Sequence, residues 1–83
     1  MTAQVSLRYT RLTVQDGLSN NSVQCILQDK SGVIWIGTNG GLNRYDGSSF
    51  IQYSVLSQPA LSNNVVTALL QDEKGLIWIG TEN

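Results

Sequence analysis

The apolar and polar positions of this chain follow a pattern that recurs after 43 residues. Residues 18–39 read LSNNSVQCILQDKSGVIWIGTN, and residues 61–82 read LSNNVVTALLQDEKGLIWIGTE. Fourteen of the 22 aligned positions are identical, and others exchange one apolar residue for another, such as Ile26 for Leu69. So dense a match within 83 residues indicates an internal repeat, in which each copy is one structural unit.

Turn-forming residues divide one period into four segments of strand length. The segments cover residues 22–28, 33–38, 42–45 and 50–53, and they are separated by DKSG, NGG and DGSS. In DKSG the Asp accepts a backbone N–H two residues on, and the Gly adopts a positive φ. A repeat of 40–45 residues with glycine turns and a Trp is typical of a four-stranded propeller blade. We therefore predict an all-β fold of β-propeller blades, each a four-stranded antiparallel sheet.

A helical interpretation of the first segment competes with this prediction. Val23, Ile26 and Leu27 fit one face of a helix, which Ser19 or Asn20 would cap. The same residues also alternate as a strand does, the run is only about two helical turns long, and short isolated helices are marginal. The next segment, VIWIGT, favours a strand and follows a turn of hairpin length. The strand interpretation is therefore preferred.

The repeat also predicts how the chain is organised. Residues 1–17 are expected to form a leader that carries the outer strand of a neighbouring blade, at 9–12. Residues 18–60 are expected to form a complete blade, and residues 61–83 the first half of the next one. We expect the chain to be a fragment of about one and a half blades from a longer protein.

Composition excludes several classes of function. With five Lys and Arg, six Asp and Glu and no His, the chain lacks the basic surface of a nucleic-acid-binding protein. The sequence contains no run of about 18 apolar residues, so no membrane-spanning helix is predicted. The start of the chain does not resemble a signal peptide. Without His, Ser/His and Cys/His catalysis is impossible within one chain, and Cys25 alone cannot build a zinc site. A site with two carboxylates is not excluded. We expect no metal and no cofactor.

The motifs themselves resemble a known family. GLSNNSV at 17–23, LQD at 27–29, IWIGT at 34–38 and GLNRYDG at 41–47 are similar to the two-component regulator propeller repeat. Phe50 and Tyr53 lie where that repeat carries aromatic residues in its outer strand. The resemblance extends over residues 9–83.

This resemblance implies a location and a role that composition and spacing do not show. Such repeats form the extracytoplasmic, periplasmic propellers of bacterial membrane-bound sensors, and many of these sensors respond to oligosaccharides. A transmembrane helix and a histidine kinase or diguanylate cyclase typically follow. The resemblance thus implies a sensor fragment whose partners are the other blades of its parent protein, with a carbohydrate as its ligand.

Arg44, Tyr45 and Asp46 are the candidate ligand-binding residues, because a cation, a phenol and a carboxylate lie together beside a turn. They also belong to the repeat motif, so a structural role is the competing interpretation. No catalytic residue is predicted.

The other polar and aromatic candidates recur at equivalent positions of both repeats, which favours structural roles. Trp35 and Trp78 are expected to pack between blades and not to stack on sugars. Asp29 and Asp72 are expected to hold turns and not to act as catalysts or calcium ligands. The amides of Asn20, Asn21, Asn63 and Asn64 are expected to cap backbone groups. Cys25 aligns with Ala68, which indicates a small buried position.

Three functions remain open from the sequence. The first is a ligand-sensing module of a two-component-type protein, and the second is a purely structural or self-associating propeller scaffold. The third is part of a propeller lyase or glycosidase, which is disfavoured because the polar residues of the second unit largely duplicate those of the first. Each blade has two apolar faces that must be covered by other units. The isolated fragment is therefore expected to be ordered through self-association or through neighbouring blades.

Overall fold

The structure, a computed structural model, describes residues 18–20 and 22–82. Its strands are β1 (Val23–Gln28), β2 (Ile34–Thr38), β3 (Gly41–Tyr45), β4 (Phe50–Tyr53), β5 (Val66–Gln71) and β6 (Ile77–Thr81). The first four form one antiparallel sheet in sequence order, and β5 pairs with β6 in a second sheet. The predicted all-β blade fold is confirmed, and the strands of the first sheet begin and end within one residue of the predicted positions.

The predicted leader at 1–17, with its outer strand at 9–12, lies outside the described residues. The domain boundaries therefore stay predictions. In the part of the chain that the structure describes, no helix is long and apolar enough to cross a membrane.

The turn between β1 and β2 forms as the DKSG motif predicts. Oδ1 of Asp29 accepts hydrogen bonds from the N–H groups of Ser31 at 2.9 Å and Val33 at 3.0 Å. Gly32 closes the turn with a φ of 94°, which other residues rarely adopt. The turn between β5 and β6 is built in the same way, so the two hairpins are local structural copies.

A β-bulge interrupts the first strand of each sheet. The register shifts between Val23 and Cys25 in β1 and between Val66 and Ala68 in β5. Val66 and Leu69 therefore both contact the first sheet although they are three residues apart. The sequence predicts that side chains alternate between the two faces along the whole of each strand. This alternation is interrupted, because the bulge turns the residues before it to the opposite face.

Apolar side chains cover both faces of the first sheet. On one face Leu18, Ile34 and Ile36 are buried, with Ile26, Tyr45 and Phe50 packed against them. The other face meets the second sheet: Cys25, Leu42 and Val66 are buried there, with Trp35, Tyr53, Leu61 and Leu69 packed against them. This second cluster joins the two sheets and supports the candidate site described next.

Candidate functional site

Arg44 lies in β3 on the face that is turned to the second sheet. It pairs with Trp35 of β2 and with Ile51 of β4. Its guanidinium carbon is 5.9 Å from the centre of the Trp35 ring, within the range of a cation–π interaction. Trp35 in turn stacks on Tyr53, with ring centres 6.4 Å apart and an angle of 23° between the ring planes. One cation and two aromatic rings thus form a half-buried group, which we call the Arg44 group.

Tyr45 lies on the opposite face of the sheet, because successive residues of a strand point to opposite sides. Its ring packs on Phe50, with ring centres 4.6 Å apart. Its hydroxyl donates a hydrogen bond to the carbonyl of Gly47 at 3.0 Å. Tyr45 therefore supports the turn that follows β3 and does not join the Arg44 group.

Asp46 holds the turn between β3 and β4. Its Oδ1 accepts hydrogen bonds from the N–H groups of Ser48 at 2.9 Å and Ser49 at 3.0 Å, and from the Ser48 hydroxyl at 3.1 Å. These bonds, assisted by the positive charge of Arg44, lower the pKa of Asp46 to about 2. The exposed carboxylate thus remains ionised and within electrostatic reach of Arg44.

The three candidate residues are therefore divided by the sheet. Arg44 and Asp46 interact electrostatically, whereas Tyr45 faces the other apolar cluster. Their role in ligand binding stays a prediction.

Trp35 and Trp78 are each fixed by the aspartate of the preceding turn. The indole N–H of Trp35 donates to Oδ2 of Asp29 at 2.9 Å, and Trp78 donates to Oδ2 of Asp72 at the same distance. Desolvation opposes ionisation of Asp29, but bonds from Ser31, Trp35 and Val33 outweigh it and lower its pKa. The bond from Trp78 is the main cause that lowers the pKa of Asp72. Both carboxylates have structural partners, as predicted.

The asparagines bind backbone groups near the starts of the repeats. Oδ1 of Asn20 accepts the N–H of Ser22 at 2.7 Å, and Oδ1 of Asn63 accepts the N–H of Val65 at 2.8 Å. Asn64 accepts the N–H of Val55 at 2.9 Å in the loop after β4. Asn21 lies outside the described residues.

Cys25 is a buried thiol between the sheets. Only 5% of the residue is exposed, and burial raises the pKa of the thiol against a smaller opposing effect of a backbone hydrogen bond from Gly37. Among the described residues, no cluster of three or more His, Cys, Asp or Glu side chains is placed to bind a metal ion.

Two polar residues that the sequence analysis did not single out are central to the packing. Asn43 is completely buried: its Oδ1 accepts the N–H of Ser19 at 2.8 Å, and its Nδ2 donates to the Ser19 hydroxyl and to the Ile36 carbonyl. Gln71 links the two sheets, because its Oε1 accepts the N–H of Lys30 at 2.8 Å. The sequence offered one indication of the bond between Gln71 and Lys30, because a Gln precedes the turn aspartate in both repeats.

Comparison with known proteins agrees with the repeat. The family described as two component regulator propeller matches residues 17–40 and again residues 60–83, together more than half of the chain. The matched segments contain β1 with β2 and β5 with β6. A curated relative named "Histidine kinase P4", from Formosa agariphila, is 49% identical over 45 residues. That alignment covers 54% of this chain and 3% of the relative.

Proposed function

Because this chain belongs to the two component regulator propeller family, we propose that it is part of the extracytoplasmic sensor propeller of a bacterial two-component-type signalling protein. The other blades of that longer protein are its partners, and the sensor lies in the periplasm. The name of the relative, a histidine kinase, supports a signalling context. The 83 residues contain no histidine, so in this proposal any phosphorylated histidine belongs to another part of the protein.

The ligand in this proposal is an oligosaccharide, and the observation that carries it is the Arg44 group. Arg44 lies over Trp35, and Trp35 stacks on Tyr53. Trp35 and Tyr53 support the guanidinium of Arg44, and a guanidinium donates several hydrogen bonds to hydroxyl or carboxylate oxygens. Asp46 adds an ionised acceptor near Arg44. Tyr45 contributes indirectly, by holding the turn that carries Asp46.

A purely structural blade is the second candidate, and one observation favours it. Within the described residues, no buried side-chain nitrogen or oxygen lacks a hydrogen-bond partner. The indole N–H of Trp35, which would otherwise be available to a ligand, is bound to Asp29. In this alternative the Arg44 group serves only to pack the two sheets.

Catalysis is not part of the proposal. The two turn aspartates, Asp29 and Asp72, occupy equivalent positions in different blades and each holds its own turn and tryptophan. The carboxylate pair of a glycosidase lies on the two sides of one bond. A lyase or glycosidase would therefore need polar residues beyond these repeated ones.

Calorimetric titration of the longer sensor protein with neutral and uronate-containing oligosaccharides tests the proposal. Arg44→Ala is expected to weaken binding about 10- to 100-fold, since it removes charge-assisted hydrogen bonds. Lys30→Ala removes an exposed cation from the β1–β2 turn and is the matched control, with no expected effect. Tyr45→Phe keeps the ring and is expected to have a small effect. Binding that is unchanged in Arg44→Ala, or absent for every saccharide, favours the purely structural blade.

A further inference from the structure

The turn between β2 and β3 consists of Asn39 and Gly40. Thr38 and Gly41, on either side of it, are register partners in the two strands. Asn39 is exposed to solvent at the end of the sheet, and not on a face that another blade would cover. Its N–H donates to the carbonyl of Ser22 at 3.1 Å, so the turn is fixed to the residue before β1. The chain thus presents an Asn-Gly pair on an ordered and accessible turn.

The side chain of Asn39 is held through its oxygen. Oδ1 accepts a hydrogen bond from Nε2 of Gln24 at 2.9 Å, whereas Nδ2 has no hydrogen-bond partner among the described residues. A hydrogen bond to the oxygen draws electron density away from Cγ, which makes that carbon a better electrophile. Nδ2 is the group that leaves when Cγ is attacked. The side chain is therefore arranged for the loss of ammonia.

Packing explains why a glycine follows Asn39. A Cβ at position 40 would lie 3.0 Å from Cβ of Asn20 and 3.0 Å from the carbonyl oxygen of Ser19, so a side chain would be crowded there. Because Gly40 has no Cβ, its nitrogen is open to the carboxamide of the residue before it. The N–H of Gly40 donates to Oγ1 of Thr38 at 3.0 Å, and this bond must open before the nitrogen reacts. The turn therefore permits the attack but slows it relative to an unfolded chain.

We propose that Asn39 is a site of spontaneous deamidation. The nitrogen of Gly40 forms a bond to Cγ of Asn39, the bond between Cγ and Nδ2 breaks, and Nδ2 leaves as ammonia together with the proton lost from the Gly40 nitrogen. Water from the solvent then opens the cyclic succinimide at either of its carbonyls, which gives aspartate or isoaspartate at position 39. The reaction needs no enzyme and no cofactor. This inference goes beyond the proposed function and does not depend on its ligand.

The second repeat indicates what the aspartate product does to the fold. Glu82 occupies the position equivalent to Asn39. Its N–H donates to the carbonyl of Val65 at 3.0 Å, as that of Asn39 does to Ser22, so a carboxylate is compatible with this backbone. Isoaspartate instead routes the main chain through the side-chain carbon, which lengthens a turn that packs closely on Ser19. We therefore expect only the isoaspartate product to destabilise the first sheet.

Two nearby residues are expected to be unreactive. Asp46 also precedes a glycine, but its Oδ1 accepts the N–H groups of Ser48 and Ser49, and an ionised carboxylate is a poor electrophile. Asn43 is completely buried, and its carboxamide is bound through both the oxygen and the nitrogen. It is also followed by Arg44 and not by a glycine. The structure thus distinguishes Asn39 from the other candidates of the same sheet.

Peptide mass spectrometry of the chain after prolonged incubation at mildly alkaline pH tests the proposal. Trypsin releases residues 31–44 as one peptide, so fragment ions compare Asn39 with Asn43 directly. We expect Asn39 to convert at least about tenfold faster than Asn43, because Asn43 is exposed only by unfolding. Isoaspartyl methyltransferase should label the same peptide. Equal conversion of the two asparagines, or an Asn39 that stays intact throughout, overturns the proposal.

Two variants separate the effect of the turn from that of the dipeptide. Asn39→Gln keeps a carboxamide but would have to close a larger ring, so it should remain unlabelled by the methyltransferase. Label that persists in this variant would place the reaction elsewhere and overturn the proposal. Arg44→Gly puts a glycine after the buried Asn43. In this variant Asn43 should stay intact under native conditions and convert as fast as Asn39 in urea, whereas equal rates under native conditions would show that the fold does not select Asn39.

Asn39→Asp tests whether the fold accepts the aspartate product. We expect its melting temperature to equal that of the unmodified chain, because Glu82 already occupies the equivalent turn. Chain that has been aged and then fractionated for isoaspartate should melt at a lower temperature. A lower melting temperature for Asn39→Asp itself would contradict the equivalence of the two positions.

Discussion

The indole N–H of Trp35 donates a 2.9 Å hydrogen bond to Oδ2 of Asp29, six residues earlier in the chain. The other oxygen of the same carboxylate holds the turn between β1 and β2. A single side chain thus fixes both the hairpin and the orientation of the ring that packs between the sheets. The same arrangement recurs in the second repeat between Trp78 and Asp72.

Asp29→Asn separates the two tasks of this carboxylate. An asparagine has one acceptor oxygen, so either the turn or the indole loses its partner. Because Trp35 is half-buried, we expect an unfolding free energy about 1–3 kcal/mol lower, measured by urea denaturation at one fixed protein concentration. Asp72→Asn is the control and should destabilise less, because water can reach the exposed Trp78. Equal losses in both variants would contradict this explanation.

Asn43 and Ser19 are predicted to act as a unit. Asn43 satisfies the N–H and hydroxyl of Ser19 as well as a carbonyl of β2, and it is fully buried. We expect Asn43→Ala to lower the unfolding free energy by about 2–4 kcal/mol, through unpaired buried groups and a small cavity. Ser19→Ala should cost less, because the N–H of residue 19 is retained. A double-mutant cycle should give a coupling energy of about 0.5 kcal/mol or more, and strict additivity would argue against the pair.

Gly37 is predicted to be required by the contact between the sheets. A Cβ at this position would lie 2.5 Å from the sulfur of Cys25 and 2.6 Å from a methyl of Val66. We expect Gly37→Ala to destabilise the chain by about 1–3 kcal/mol in urea denaturation. Gly80→Ala is the matched control, with its nearest contact at 3.2 Å to Ala68, and its cost should be smaller. The cost of Gly37→Ala should be smaller in a Val66→Ala background than in the unmodified chain, and an equal cost in both backgrounds would show that the strain does not involve Val66.

The sequence predicted the strands because its repeat and turn chemistry agree with each other. The turn aspartates and the glycine with positive φ are local features, and each formed as the motif indicates. The helix-like spacing of Val66 and Leu69 has a different origin. The bulge places both on one face of a strand, which produces a spacing of three without a helix.

The candidate site was less predictable because it depends on which face of the sheet each residue occupies. Arg44 and Tyr45 are adjacent in sequence, which suggests one site. In a strand, however, adjacent side chains lie on opposite faces of the sheet. The partners of Arg44, which are Trp35 and Tyr53, come from β2 and β4 and are distant in sequence. The burial of Asn43 was equally hidden, since an asparagine between Leu and Arg gives no sign of the three hydrogen bonds that it makes.

The last prediction concerns the acidity of Asp46. Its folded-state pKa of about 2 lies below the ordinary value of about 3.9 that an unfolded chain would show. The ionised form therefore stabilises the fold above about pH 4, and this contribution is lost as the pH falls from about 4 through about 2. NMR titration of the carboxyl carbon should show the low pKa directly. Ser48→Ala removes one hydroxyl donor and should raise that pKa part of the way, while Asp46→Asn should flatten the acid dependence of the melting temperature. An Asp46 pKa near 3.9 in the folded chain would mean that the turn does not hold the carboxylate as described.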